Sequence, residues 1–246
     1  MSINSPNSTM STKESATPPG KPVRTRGPQY QECVDAAAAR GFERLGLRSS
    51  QSWHDDPKHL LFRLSRYKFV AKMLAGSEHV LEIGCGDAFG TRLVQQTVKE
   101  LSATDFDEVF LEDVKARMVE RWRFTVFLHD VLAGPIPGGY DGVYALDVLE
   151  HIRLEDEHTF LKNALAPLTT HGVAIFGMPS LESQIHASPV SRAGHVNCKS
   201  IPDFKKTMQR YFHNVFMFSM NDEVVHTGFH PMAHYLLALC TGKRCE

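Results

Sequence analysis

The chain has 246 residues, with 27 Lys and Arg against 28 Asp and Glu and a formal net charge of −1. Hydrophobic residues make up 42 % and charged residues 22 %, a globular composition in a chain long enough to bury a core without covalent staples. The neutral balance disfavours a nucleic-acid partner, which draws a basic excess, and no apolar run approaches the ~18 residues of a membrane span.

Residues 1–28 are mostly Ser, Thr, Asn, Pro and Gly, and the expectation is a disordered tail. Its Lys13, Lys21, Arg24 and Arg26 outnumber Glu14, so the remainder, 29–246, is mildly acidic. The start has no apolar core of a secretory signal. The five cysteines, Cys33, Cys85, Cys198, Cys240 and Cys245, form no CxxC pair. A disulfide framework or structural zinc is therefore not expected, and a reducing, cytoplasmic compartment is.

An Ala-rich stretch predicts a helix over 31–47. Apolar spacing at Leu60, Leu61, Leu64, Phe69, Val70 and Leu74 predicts a second over 55–74, so 29–76 holds the N-terminal helices. A strand follows at 79–83, then a Gly-rich turn and a helix to 99. Strands are expected at 101–104, 124–128, 140–146 and 173–178, with helices at 107–120 and 155–165 between them. This alternation predicts α/β units on a parallel sheet. Residues 180–200 read as a polar loop without periodicity, and 201–211 as a helix. Strands at 214–219 and 233–239 have no helix between them, which implies an antiparallel pair at the sheet end.

The densest signal is VLEIGCGDAFG, residues 80–90. A buried strand runs through Gly84-Cys85-Gly86 into a helix, and glycines there let the backbone approach a ligand. Asp105 ends the second strand, where a Rossmann-type fold sets a carboxylate on ribose hydroxyls. Its plainer alternative is a helix cap, a role open to Asp107 as well. The spacing is GxGxxxG rather than GxGxxG, a poor cradle for pyrophosphate. Glu82 on the same strand repels phosphate and suits a cation. S-adenosylmethionine (SAM), with a sulfonium, an ammonium and a ribose, meets both conditions.

With these motifs in order, the chain resembles the class I SAM-dependent methyltransferases over about 55–240. The glycine loop resembles the first motif, Thr104-Asp105-Phe106 the second, and His129-Asp130-Val131 the segment after the third strand. Residues 145–151, ALDVLEH, resemble the fourth-strand motif and 172–179 the fifth strand. The resemblance implies a Rossmann-like, mostly parallel seven-stranded sheet with an antiparallel last strand and helices on both faces. It sets the cofactor against Glu82, Gly84, Cys85, Gly86, Asp105, Phe106, Asp130, Val131 and Leu146, with Asp130 facing the adenine amino group. It is closest to small-molecule O-methyltransferases such as the ubiquinone-pathway enzymes, which share the Glu-His after strand four.

Methyl transfer needs positioning, desolvation and removal of a proton, not a covalent nucleophile. Cys85 thus needs no reactivity. If the segment after strand four is helical, Asp147, Glu150 and His151 share one face. His151 is a candidate base; together with His195 these residues are also a candidate divalent-metal set; and both readings stand beside a purely structural one. The metal-using relatives carry Glu where this chain has Asp147, so the expected site has His151 and His195 as catalytic residues and no metal. The loop at 180–200, with His186, Arg192, His195, Asn197 and Lys199, is expected to be a substrate lid, since long loops in compact domains are usually functional. Arg63, Arg66 and Tyr67 are expected to close the other side, where Arg meets the SAM carboxylate or only solvent. The expected function is methyl transfer from SAM to an oxygen of a small-molecule acceptor. A metal-dependent RNA 2′-O-methyltransferase and a non-catalytic SAM-binding module are the alternatives. The acceptor and the oligomeric state are open.

Overall fold

The computed structural model describes residues 23–244. The expected disordered tail at 1–28 therefore lies largely outside the described residues. The described chain divides into a unit up to Glu43 and a unit from Arg44 onward. The first contains a 3-10 turn at Pro28–Tyr30 and α1 (Gln31–Arg40). The predicted 31–47 helix ends early because Gly41 turns to φ 73°, a left-handed position that stops helices.

The second unit is built on one eight-stranded sheet. Its strands are β1 (His79–Ile83), β2 (Glu100–Asp105), β3 (Thr125–Leu128), β4 (Tyr140–Leu146), β5 (Leu168–Pro179), β6 (Phe212–Asn221), β7 (Val224–His226) and β8 (Tyr235–Lys243). The spatial order is β3-β2-β1-β4-β5-β8-β6-β7. The first five run parallel. β8 is antiparallel to both β5 and β6, as the missing helix between the last strands required. The eighth strand, β7, exceeds the expected seven; it is three residues long and pairs only with β6. β5 starts earlier than expected because its first turn of sequence, Thr169 to His171, is exposed and breaks the apolar run.

Side chains alternate across a strand, so each central strand feeds two cores. On one face Leu81, Val143, Ala145 and Phe176 pack with Phe160, Leu161, Phe204 and Met208 from α6 (Glu157–Leu165) and α8 (Ile201–Met208). On the other face Val80, Tyr144, Ile175 and Leu237 pack with Tyr67, Val70, Val94 and Leu111. These come from α3 (Pro57–Met73), α4 (Thr91–Gln95) and α5 (Glu108–Arg117). α3 begins on Pro57, whose missing N–H costs nothing at a helix start. Before it stands α2 (Leu47–Asp55), which begins after Gly46 at φ 103°. The 180–200 segment is not structureless. It folds as a 3-10 turn at Glu182–His186 and α7 (Pro189–Gly194), capped by Ser188. Among the described residues no helix is long and apolar enough to cross a membrane, and Cys33, Cys85, Cys198 and Cys240 are free thiols.

Candidate active site

The C-terminal ends of β1, β2, β3 and β4 open a cavity of about 490 Å³. β2 and β3 lie to one side of β1 and β4 to the other, the switch point at which open α/β sheets bind ligands. A second cleft, of about 560 Å³, lies by the ends of α6 and α8. There Lys243 and Arg244 donate to the carbonyls of Leu165 and Gln209, which caps the two helices.

The glycine loop forms the floor of the first cavity. Gly84 and Gly86 sit at φ 73° and 52°, and a side chain at 84 would strike Val148. The N–H groups of Gly84 and Cys85 both donate to Thr104 O, which fastens the loop to the end of β2. Gly86 N–H then donates to Asp105 Oδ2 at 2.8 Å, and Asp107 N–H to Asp105 Oδ1 at 3.0 Å. Each carboxylate oxygen retains acceptor capacity for a hydroxyl. Asp107, not Asp105, caps α5, through Val109 N–H. Phe106 stands exposed at the rim, and Asp130 and Val131 line the β3 side with His129.

Three residues expected at the cofactor are turned elsewhere. Glu82 and Leu146 point to the sheet face covered by α3 and α4, because alternation along β1 and β4 sends them there. Glu82 accepts from Tyr67 Oη and Tyr144 Oη at 2.8 Å and from Thr91 Oγ1 at 2.6 Å. Burial pushes its carboxyl up to about 7, against these three donors. Cys85 is buried beneath the loop, and burial with the nearby Glu82 raises its thiol, so it is an inert packing residue.

Beyond β4 the chain does not form the expected helix. Asp147 takes φ 58°, and Leu149–His151 is a single 3-10 turn. Asp147 therefore leaves the shared face and binds Arg66 of α3 through both oxygens, at 2.8 and 2.7 Å. Burial works against its charge, but Arg66, with Arg48 and Arg63, holds it below the usual carboxylate range. The Arg66 guanidinium also lies 3.7 Å over the Tyr235 ring. Arg66 thus meets Asp147 through one terminal nitrogen, while its Nε is buried without a hydrogen-bond partner.

Glu150, His151 and His195, three of the four residues of the alternative metal set, come together. The His151 and His195 rings are 5.3 Å apart, and ligand atoms of all three residues lie within 4.8 Å of one another. His151 Nδ1 faces Gly194 O at 2.9 Å, and His195 Nδ1 faces Gln184 Oε1 at 2.9 Å. Both acceptors are oxygens, so each Nδ1 carries the proton and each Nε2 keeps its lone pair. Burial and the neighbouring His151 lower the His195 pKa, which favours its neutral form. Both carboxyl oxygens of Glu150 are buried without a hydrogen-bond partner. Burial, then the charge of Asp147, pushes Glu150 well above the carboxylate range. A buried acid with unmet acceptors beside two imidazole lone pairs fits a divalent cation. Asp147 does not join that set, because Arg66 holds it.

The segment over the site is anchored by polar residues that the sequence offered as lid contacts. Asn197 and Lys199 bind the buried Glu157 at 2.8 and 2.7 Å. His186 and Arg192 are exposed. Sequence reasoning did not reach Arg48 and Phe110, which line the cavity from α2 and α5. The only signal was their placement on helices whose docking is a long-range matter.

Residues 80–172 match the family described as Methyltransferase domain. A probable S-adenosylmethionine-dependent methyltransferase of Mycolicibacterium smegmatis is 29 % identical over 115 residues, 46 % of this chain and 42 % of that protein. The chain thus spans less than half the length of that curated relative. The solved N-methyltransferase NodS from Bradyrhizobium japonicum WM9, in complex with S-adenosyl-L-homocysteine, superimposes with a TM-score of 0.62 at 18 % identity, covering 80 % of this chain and 94 % of that one. The methyltransferase domain of bacterial CtHen1-C gives 0.59 at 19 %, covering 74 % and 97 %. The fold is that of the Rossmann-like methyltransferases.

Proposed function

We propose that the chain is a methyltransferase that takes its methyl group from SAM and delivers it to an oxygen of a small-molecule acceptor. The observation that carries this is Asp105, held by Gly86 N–H at the mouth of a loop that lacks the third glycine of a pyrophosphate cradle. Asp105 accepts the ribose hydroxyls, Asp130 and Val131 receive the base, and Phe106 covers it from the rim. The similarity of 80–172 to methyltransferase domains supports the same reading.

The cofactor supplies a methyl group made electrophilic by the attached sulfonium. The chain supplies placement, exclusion of water and a site for the acceptor's proton. As the acceptor oxygen takes the methyl, its proton passes to His151 Nε2, the lone pair left free by the Nδ1 bond to Gly194 O. His195 and α7 close the acceptor side, so 180–200 acts as the lid, fastened at its base by Asn197 and Lys199. The free thiols suit a reducing, cytoplasmic setting. Calorimetric titration with SAM and NADH in parallel tests the reading: SAM is expected to bind and NADH not to. Absence of SAM binding overturns it.

A second reading rests on the unpartnered Glu150 oxygens. Glu150, His151 and His195 would hold a divalent cation, which would supply a Lewis acid for the acceptor hydroxyl. Added Mg²⁺, Mn²⁺ or Zn²⁺ should then raise the thermal midpoint of the wild type but not of Glu150→Gln. A midpoint and a transfer rate indifferent both to chelator and to metal remove this reading. Its RNA form is disfavoured by the acid excess of 29–246. SAM binding without transfer to any acceptor in a broad screen would instead favour a non-catalytic module.

A further inference from the structure

His195 reaches the site from a segment that is itself seated on the end of the sheet. Its Nδ1 faces Gln184 Oε1 at 2.9 Å, and Gln184 stands in the 3-10 turn Glu182–His186 near the start of the 180–200 segment. The Gln184 amide is oriented by its other end. Its Nε2 donates to Ser180 O at 3.1 Å and to Ser183 Oγ at 3.4 Å. Ser183 Oγ donates in turn to Ser180 O at 2.9 Å, so its own lone pairs are open to Nε2. A reversed amide would set Oε1 against the Ser180 carbonyl, two acceptors face to face. Oε1 therefore points to His195, and as an oxygen it accepts only from an N–H.

The turn that carries Gln184 is docked by Ser180, which is wholly buried. Ser180 N–H donates to His234 O at 3.1 Å, and Ser180 Oγ to Ala233 O at 2.6 Å. Ser183 Oγ also reaches His234 O at 3.2 Å, and Ser183 N–H donates to Ser180 Oγ at 3.1 Å. Ala233 and His234 end the connection between β7 and β8. Leu181 N–H on Lys199 O, at 2.9 Å, joins the two ends of the segment. A continuous run of hydrogen bonds thus leads from the β7–β8 connection through Ser180 and Gln184 to the His195 ring. His151 is held differently. Its Nδ1 faces a backbone carbonyl, Gly194 O at the end of α7, so its tautomer does not depend on Gln184.

We propose that Gln184 is a positioning residue for His195: it fixes the imidazole as the Nδ1–H tautomer, leaves the lone pair on Nε2, and does so only while the segment is seated on the β7–β8 connection. An amide suits this task better than its alternatives. A carboxylate would hold the Nδ1 proton but has no N–H for Ser180 O, and a hydroxyl, able to donate or accept, would leave the tautomer undecided. The ring so fixed lies 5.3 Å from His151, with ligand atoms of His195, His151 and Glu150 within 4.8 Å of one another. A defined lone pair is what an acceptor's proton or a cation would need there. The contacts stand by themselves; their use in methyl transfer rests on the reading above.

The test reads tautomers directly, in two-bond ¹H–¹⁵N correlation spectra of the full chain labelled with ¹⁵N-histidine. Spectra are taken with chelator at about pH 8, where an ordinary imidazole is neutral. His195→Gln and His151→Gln identify the two rings by the signals they remove. In the wild type both rings are expected as Nδ1–H. Gln184→Leu should lower the Nδ1–H to Nε2–H ratio of His195 about 2- to 10-fold, the worth of one neutral hydrogen bond, and leave His151 unchanged. Gln184→Glu, which keeps an accepting oxygen, should restore the wild-type tautomer. Ser180→Ala, which does not touch His195, should move His195 in the same direction as Gln184→Leu. A wild-type His195 in the Nε2–H form, or a Gln184→Leu ratio equal to wild type, overturns the proposal. A Ser180→Ala ratio equal to wild type overturns the link to the β7–β8 connection. A shift of His151 together with His195 marks a general collapse of the site and overturns the assignment to Gln184. Calorimetry of S-adenosylhomocysteine on the wild type is read separately: no binding overturns the methyltransferase reading and leaves the tautomer result standing.

Discussion

Asp105 and His151 make separable demands on the chemistry. Asp105 has an N–H donor on each oxygen, and ribose hydroxyls would supply the rest. Asp105→Ala removes the acceptor and leaves Gly86 N–H unpaired. S-adenosylhomocysteine affinity should fall about 10- to 100-fold by calorimetry, with a smaller loss for the isosteric Asn. In the proposed reaction His151 serves the acceptor, so its truncation should leave cofactor affinity unchanged. His151→Ala should cut turnover about 10²- to 10⁴-fold, the usual contribution of a general base. A variant that loses both equally would place His151 on the cofactor rather than the acceptor.

At the level of elements, the end of β4 is joined to α3 by a single ion pair. Asp147 adopts φ 58°, unusual for a residue with a side chain, with its N–H on Gly177 O and its carboxylate on Arg66. Both side chains are mostly buried, 13 % and 18 % exposed. Asp147→Ala should destabilise by about 3 kcal/mol, because it strands a buried guanidinium. Adding Arg66→Met should recover most of that loss in chemical denaturation. The glycine loop is the second such joint. Gly84→Ala meets both the positive φ and Val148, and should abolish cofactor binding while Gly76→Ala, at φ 85° with open space around it, costs only its backbone strain. The elements that sequence pattern placed well are those with uninterrupted apolar runs. β1 and β4 match to the residue. The 31–47 helix and the start of β5 failed where a left-handed glycine or a stretch of exposed residues broke the pattern.

For the whole molecule, Glu82 is the hub beneath the cavity. Its three donors come from α3, α4 and β4, so one carboxyl on β1 ties both sides of the site to one helical layer. Its folded pKa stands near 7 against an ordinary 4.5. A raised carboxyl favours folding fully below its unfolded pKa and loses that contribution as pH rises through its folded one. Stability should therefore drop between about pH 4.5 and pH 7, by roughly 3 kcal/mol if the whole shift is expressed. Glu82→Gln should flatten that part of the profile, measured as wild-type minus variant stability across the window. An unchanged slope in the variant would assign the pH dependence to other groups. Cofactor binding acts at the same scale: S-adenosylhomocysteine at about 100 times its Kd should add about 2.7 kcal/mol to stability.

The sequence by itself determined the alternating α/β order, the reversed final strand, the glycine loop and the acid at the end of the second strand. Those features are local: a run of apolar residues, a pair of glycines, a spacing within one βαβ unit. It also singled out His151 and His195, though not that their rings would meet. Tertiary structure decided the rest, because each outcome is a contact between distant positions. Arg66 meets Asp147 across 81 residues, and His151 meets Gly194 across 43. Those two approaches turn Asp147 out of the candidate metal set and leave the His151 Nε2 lone pair beside Glu150. Strand parity sent Glu82 away from the cavity, and the clamp of α2 on Asp87 brought Arg48 into it. Periodicity reports which face of an element is apolar; which element that face finds is settled only by packing the whole sheet.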